Sequence, residues 1–124
     1  MTGKRPLVSV VDDDESVRES LPDLLNELGY EARTFASAEE FLGSASNGQT
    51  KCLLVDVAMP GVSGPDLYRE LKRRRKKIPV IFITGERDEK IRQRMLELGG
   101  VECLFKPFSE AALIEALKAA FRKR

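Results

Sequence analysis

The chain has 124 residues, 42% of them hydrophobic, with 21 Lys and Arg against 20 Asp and Glu. One domain of this size can bury a stable core without disulfides or a structural metal, and a net charge of +1 excludes a molecule that binds nucleic acid or anionic lipid by overall charge. The absence of histidine excludes His-ligated metals and histidine acid–base catalysis. Cys52 and Cys103 stand far apart in apolar runs, neither a zinc spacing nor a disulfide framework, and are expected to be buried free thiols in a reducing cytoplasm. The basic start, Met1 to Pro6, leads into too short an apolar stretch for a signal peptide or a membrane span.

Short apolar runs alternate with helical patterns five times, which predicts a parallel sheet covered by helices on both faces, a doubly wound (βα)5 α/β fold. Leu7 to Val11 is the first strand. Val17, Leu21, Leu24, Leu25 and Leu28 follow at helical spacing and stop at Gly29. Glu31 to Phe35 is a weaker second strand, Ser37 caps a short helix carrying Ala38, Phe41 and Leu42, and Gly43 to Thr50 reads as loop. Cys52 to Val55 is a wholly apolar strand ending abruptly at Asp56. Met59-Pro60-Gly61 breaks the chain before a third helix marked by Leu67 and Leu71. Val80 to Ile83 is the fourth strand. Ile91, Met95 and Leu98 line a fourth helix that ends at Gly99-Gly100, Val101 to Phe105 is the fifth strand, and Ser109 caps a last helix with Leu113, Ile114, Leu117 and Phe121 inward. The expectation is one domain over residues 1–124.

Ligands of open α/β sheets bind beyond the carboxyl ends of the strands. Those ends carry Asp12 and Asp13, Asp56, Thr84 and Lys106, each polar after an apolar run. Three carboxylates in one crevice repel one another unless a cation neutralises them. An all-oxygen donor set with room for water and phosphate suits Mg²⁺, and Mn²⁺ also fits. Metal, Lys106 and the Thr84 hydroxyl make a site for phosphoryl transfer, with Asp56 as the nucleophilic acceptor. The plainer readings are a helix cap for one of Asp12, Asp13 and Asp14, with Asp14 the bystander to any metal, a structural Thr84, and a surface lysine at 106. Lys72 to Lys77 is six consecutive cations; a solvated end of helix three explains them better than nucleic-acid contact, since no aromatics are interleaved. Tyr30 and Tyr68 read as packing residues.

Four motifs carry a resemblance across nearly the whole chain: Val10-Val11-Asp12-Asp13-Asp14, Leu54 to Gly61 with Gly64, Ile83-Thr84-Gly85, and Lys106-Pro107-Phe108. The chain resembles the receiver domains of two-component response regulators, and within them the nitrogen-fixation type, through Thr-Gly after strand four and Ser-Ala-Glu-Glu-Phe-Leu after strand two. The resemblance implies a flavodoxin-like five-stranded sheet of order 2-1-3-4-5 and a cis Lys106-Pro107 bond. It makes Asp56 the phosphoacceptor, with Mg²⁺ held by Asp12, Asp13, Asp56 and the Ala58 carbonyl, Lys106 on the phosphoryl oxygens, and Thr84 moving to the phosphate. It further implies a sensor histidine kinase or phosphotransfer protein as donor, and a dimer or output protein met through helix four, strand five and helix five, with no membrane or direct nucleic-acid contact. The chemistry is autocatalytic, with self-dephosphorylation, rather than turnover of a substrate. One departure is Cys103, three residues before Lys106, where the family commonly carries an aromatic that swings inward on activation. It keeps open an alternative, a receiver-shaped interaction module indifferent to phosphate.

Overall fold

The computed structural model describes residues 5–122. The elements in chain order are β1 (Leu7–Val11), α1 (Glu15–Glu27), β2 (Glu31–Phe35), α2 (Ala38–Leu42), β3 (Cys52–Asp56), α3 (Gly64–Arg73), β4 (Val80–Thr84), α4 (Glu89–Leu98), β5 (Glu102–Phe105) and α5 (Glu110–Arg122). All strand pairings are parallel and the sheet order is β2-β1-β3-β4-β5. Every residue of β1, β3 and β4 is buried, as strands covered on both faces must be, while the edge strand β2 alternates. No helix among the described residues is long and apolar enough to cross a membrane.

Strand alternation divides the core into two layers. Val11, Leu53, Val55, Phe82 and Cys103 pack with Phe41, Leu67, Tyr68 and Met95 on the side of α2, α3 and α4. Val8, Val10, Cys52, Leu54, Ile81, Ile83 and Leu104 pack with Leu21, Leu25, Leu113 and Leu117 on the side of α1 and α5. Both tyrosines are packing residues: Tyr30 stacks on Phe121 at 5.4 Å between centroids, and Tyr68 tilts against Phe82 at 6.0 Å. Cys52 and Cys103 are buried free thiols, and burial pushes them up to about 12 and about 11.

Two details depart from the sequence reading. The stretch read as loop after α2 holds a 3₁₀ turn over Ala45–Gly48, opened by the Ser44 hydroxyl accepting from Ser46 N–H. β5 begins at Glu102 rather than Val101. α1 runs through Pro22, which lies seven residues into the helix and leaves one carbonyl of the preceding turn without its usual donor. Residues 1–4, at the basic start, and 123–124, at the end of the expected domain, lie outside the described residues.

Asp14 caps α1: its Oδ1 accepts from Ser16 N–H at 3.0 Å and from the Ser16 hydroxyl at 2.7 Å, and these bonds hold its carboxyl below the usual range. Replacing Asp14 by Ala is expected to lower the urea midpoint, and replacing it by Asn or Ser, which also cap, to lower it less. α3 ends at Arg73 with Arg74 as its C-cap, and Arg75 takes φ 61° while Arg75 N–H donates to Lys72 O and Lys76 N–H to Leu71 O, both at 2.9 Å. That ending normally uses glycine, and a side chain in the left-handed region costs roughly 1 kcal/mol.

Candidate functional site

Strand order reverses between β1 and β3, so the crevice of this fold opens at their carboxyl ends. Val8 and Val10 face the α1/α5 layer, and Asp12 continues that parity just past β1; Cys52 and Leu54 do the same for Asp56, and Leu104 for Lys106. The period of two therefore carries all three polar groups to one side of the sheet edge. The side chains converge: Lys106 Nζ lies 2.8 Å from Asp12 Oδ2 and 3.6 Å from Asp56 Oδ1.

Asp12 is fully buried and Asp56 nearly so, whereas Asp13 is exposed. Asp12 Oδ1 accepts from Asp14 N–H at 2.9 Å. Asp12 Oδ2 is buried and takes part in no well-directed hydrogen bond; the Lys106 ammonium holds it by charge. One oxygen from each of Asp12, Asp13 and Asp56 lies within 4.8 Å of the others. Three carboxylates with oxygens this close and a single ammonium among them leave excess negative charge in an all-oxygen donor set, which suits a hard divalent cation, so the residues fit a metal centre.

Burial raises the Asp56 carboxyl to about 6; the Asp12 charge adds to the rise and Lys106 opposes it. Burial works to lower the Lys106 ammonium, but contact with Asp12 and the charges of Asp56 and Asp12 outweigh it and leave the group raised. The site thus holds one ammonium among acids that it does not fully neutralise.

The backbone around Asp56 is fixed from two directions. Val57 N–H donates to Ile83 O at 2.8 Å, and Gly64 N–H, at the start of α3, donates to Val57 O at 3.1 Å. A Cβ on Gly64 would run into the Asp56 carbonyl oxygen, so the helix can come this close only with glycine at that position. Ala58 is exposed in the loop two residues past Asp56. Thr84 is buried on β4, of opposite parity to Asp56; its hydroxyl accepts from Glu86 N–H at 3.1 Å, and its carbonyl accepts from Lys106 N–H at 2.7 Å. It therefore holds the Lys106 backbone at the end of β4. The Lys106-Pro107 peptide is cis.

One contact had no signal in the sequence. Arg18 Nη1, on the first turns of α1, donates to the Asp12 carbonyl at 2.7 Å, tying that helix to the acidic loop. Cys103 is buried against Phe82, its register partner on β4, and fills a core position. Phe105, on the same face of β5, is only half-buried and lines a groove between α4, β5 and α5.

The fold and an acidic crevice with one lysine point to a regulatory receiver domain rather than a metabolic enzyme. Residues 8–118 match the family described as the response regulator receiver domain. Nodulation protein W of Bradyrhizobium diazoefficiens is 43% identical over 116 residues, 94% of this chain and 51% of the relative. Response regulator protein TodT of Pseudomonas putida is 35% identical over 122 residues, 98% of this chain and 54% of the relative. Among solved structures, response regulator StyR superposes with a TM-score of 0.86 at 41% identity, covering 97% of this chain and 61% of that one, and FixJ-N with 0.85 at 34% identity, covering 98% of each. The chain belongs to the response regulator receiver domain family and is the receiver of a two-component response regulator. It spans about half the length of the curated relatives it matches.

Proposed function

We propose that residues 1–124 act as one receiver unit in which Asp56 accepts a phosphoryl group from a phosphohistidine on a sensor histidine kinase or phosphotransfer protein. The observation that carries this reading is the convergence of Asp12, Asp13 and Asp56 on one side of Lys106, with Asp56 buried at the strand end. Mg²⁺, or Mn²⁺ in its place, would be held by Asp12, Asp13, Asp56 and the Ala58 carbonyl, and supplies charge neutralisation for the incoming phosphoryl oxygens. An ionised Asp56 oxygen attacks phosphorus; the new P–O bond forms as the donor's P–N bond breaks, and the departing imidazole nitrogen leaves with its electron pair. Lys106 places its ammonium against the oxygens that gain charge, and the Thr84 hydroxyl, released from Glu86 N–H, donates to the phosphate. Hydrolysis of the acyl phosphate on the same residue resets the switch. The event is chemistry on the chain itself and not turnover of a substrate.

The new charge would be read on α4, β5 and α5, where Phe105 and Phe108 line a groove of about 490 Å³ flanked by Arg87 and Arg92. This face is proposed to meet an output protein or a second copy in a dimer. Cys103 in place of the aromatic partner favours one second reading, a module that binds its partner without phosphate. One experiment separates the two: intact mass after exposure to phosphoramidate, with and without Mg²⁺. A metal-dependent gain of one phosphoryl group, absent in Asp56→Asn, is the expected result; no gain under any condition would leave the phosphate-independent module.

A further inference from the structure

At the opposite end of the sheet from Asp56, a basin of about 890 Å³ opens beneath the amino-terminal ends of β3, β4 and β5, beside the end of α3. Lys51, Lys72, Arg75, Lys76 and Lys77 line it and no acidic residue does. The six-residue basic run is divided by the fold. Arg73 and Arg74 turn back to Glu70, with contacts of 2.6 and 2.7 Å, and the other four cations join Lys51 at the basin. None of the five is in an ion pair among the described residues. In a chain whose net charge is +1, this is a strong local concentration of positive charge.

A second observation points to the same place. Arg75 occupies a left-handed helix ending, φ 61°, where glycine is the unstrained choice, and its side chain is one of the five at the basin. Backbone strain of this kind clusters at ligand sites.

The lining decides the chemistry of the ligand. A concave basin of this size takes a small molecule, whereas a nucleic-acid strand needs an extended basic stripe with open aromatic faces. The only aromatic in the lining, Tyr68, is buried and already carries the Lys72 ammonium 5.8 Å from its ring centre. Lysines and an arginine with no acid in the lining among the described residues match phosphate oxygens, and five of them match more than one phosphate. We propose that this basin binds a small, multiply phosphorylated anion, either a nucleoside polyphosphate or inorganic polyphosphate, at a site separate from the Asp56 crevice.

The test titrates the ¹⁵N-labelled chain, in EDTA to keep metal from the acidic crevice, with ATP and with tripolyphosphate, using adenosine and a short DNA duplex for comparison. Saturable amide shifts at Thr50, Gly99 and Val101 are expected with both polyphosphates and not with adenosine. Tighter binding of ATP would assign the nucleotide source, and equal binding the inorganic one. Arg75→Gly should keep or raise the melting temperature while weakening binding several-fold, and Lys76→Gln with Lys77→Gln should weaken it about tenfold. The proposal is overturned by no saturable shift at millimolar probe, by shifts centred elsewhere, by variants that bind like the wild type, or by DNA outcompeting tripolyphosphate at equal phosphate concentration. None of these readings depends on whether Asp56 is phosphorylated.

Discussion

Lys106→Ala is expected to destabilise the metal-free domain by roughly 3 kcal/mol, the low end of the range for breaking a buried ion pair, because the lysine keeps some exposure. The reason is Asp12. Its carboxylate is 0% exposed, its Oδ2 lacks a directed hydrogen bond, and the ammonium 2.8 Å away is what offsets its charge. Removing that ammonium leaves Asp12 and Asp56 facing each other, and Asp56, already raised to about 6 chiefly by burial, loses the charge that opposes the rise. Added Mg²⁺ should restore much of the loss, since a divalent ion among the three carboxylates takes over the neutralising role. Urea denaturation of wild type and variant, each in EDTA and in Mg²⁺, measures both effects. A variant as stable as wild type in EDTA would contradict this account of Asp12.

Asp56→Asn should move stability the other way. The Asp56 carboxyl is raised from 3.8 to about 6, so the folded chain binds its proton more tightly than the unfolded chain does. That stabilisation is fully present below about pH 4 and is lost as pH rises through about 6; at neutral pH the ionised group is a standing cost of order 3 kcal/mol in the metal-free chain. An amide of the same shape carries no charge to desolvate. The variant should therefore be more stable than wild type in EDTA at pH 7.5, with the difference shrinking toward pH 4.5, and it should lose the stabilisation by Mg²⁺. Thermal denaturation at the two pH values checks this; equal stability at both would show that Asp56 is not strained by its surroundings. The same substitution is expected to remove phosphoryl acceptance, so under the proposed function the site trades stability for chemistry.

Most of the frame was legible because it rests on local rules. A wholly apolar run such as Cys52 to Val55 can sit only between two covered faces, and the polar residue that ends it falls at the sheet's carboxyl edge, where ligands bind. That reasoning reached Asp12, Asp13, Asp56, Thr84 and Lys106 but left the cap of α1 open among Asp12, Asp13 and Asp14; only the structure gives it to Asp14. What it could not reach depends on contacts through space. Arg18 is a helix-surface arginine in the sequence, and only folding brings it to the Asp12 carbonyl. The rise of Asp56 comes from burial beside Asp12, forty-four positions away. Thr84 looked equivalent to the other strand ends, yet its parity on β4 sets its side chain apart from theirs. The division of the basic run was readable in part, since Glu70 stands three and four residues before Arg73 and Arg74, a helical ion-pair spacing. The left-handed turn at Arg75 was not, because no glycine marks it.

The central claim is that Asp56 itself receives the phosphoryl group, and chemical trapping tests it most directly. The chain is treated with phosphoramidate and Mg²⁺, reduced with borohydride, which converts an aspartyl phosphate to homoserine, and mapped by peptide mass. The account predicts homoserine at position 56 and at no other acidic position, with none formed in EDTA. Homoserine at position 12 or 13, or an unmodified chain, would contradict it.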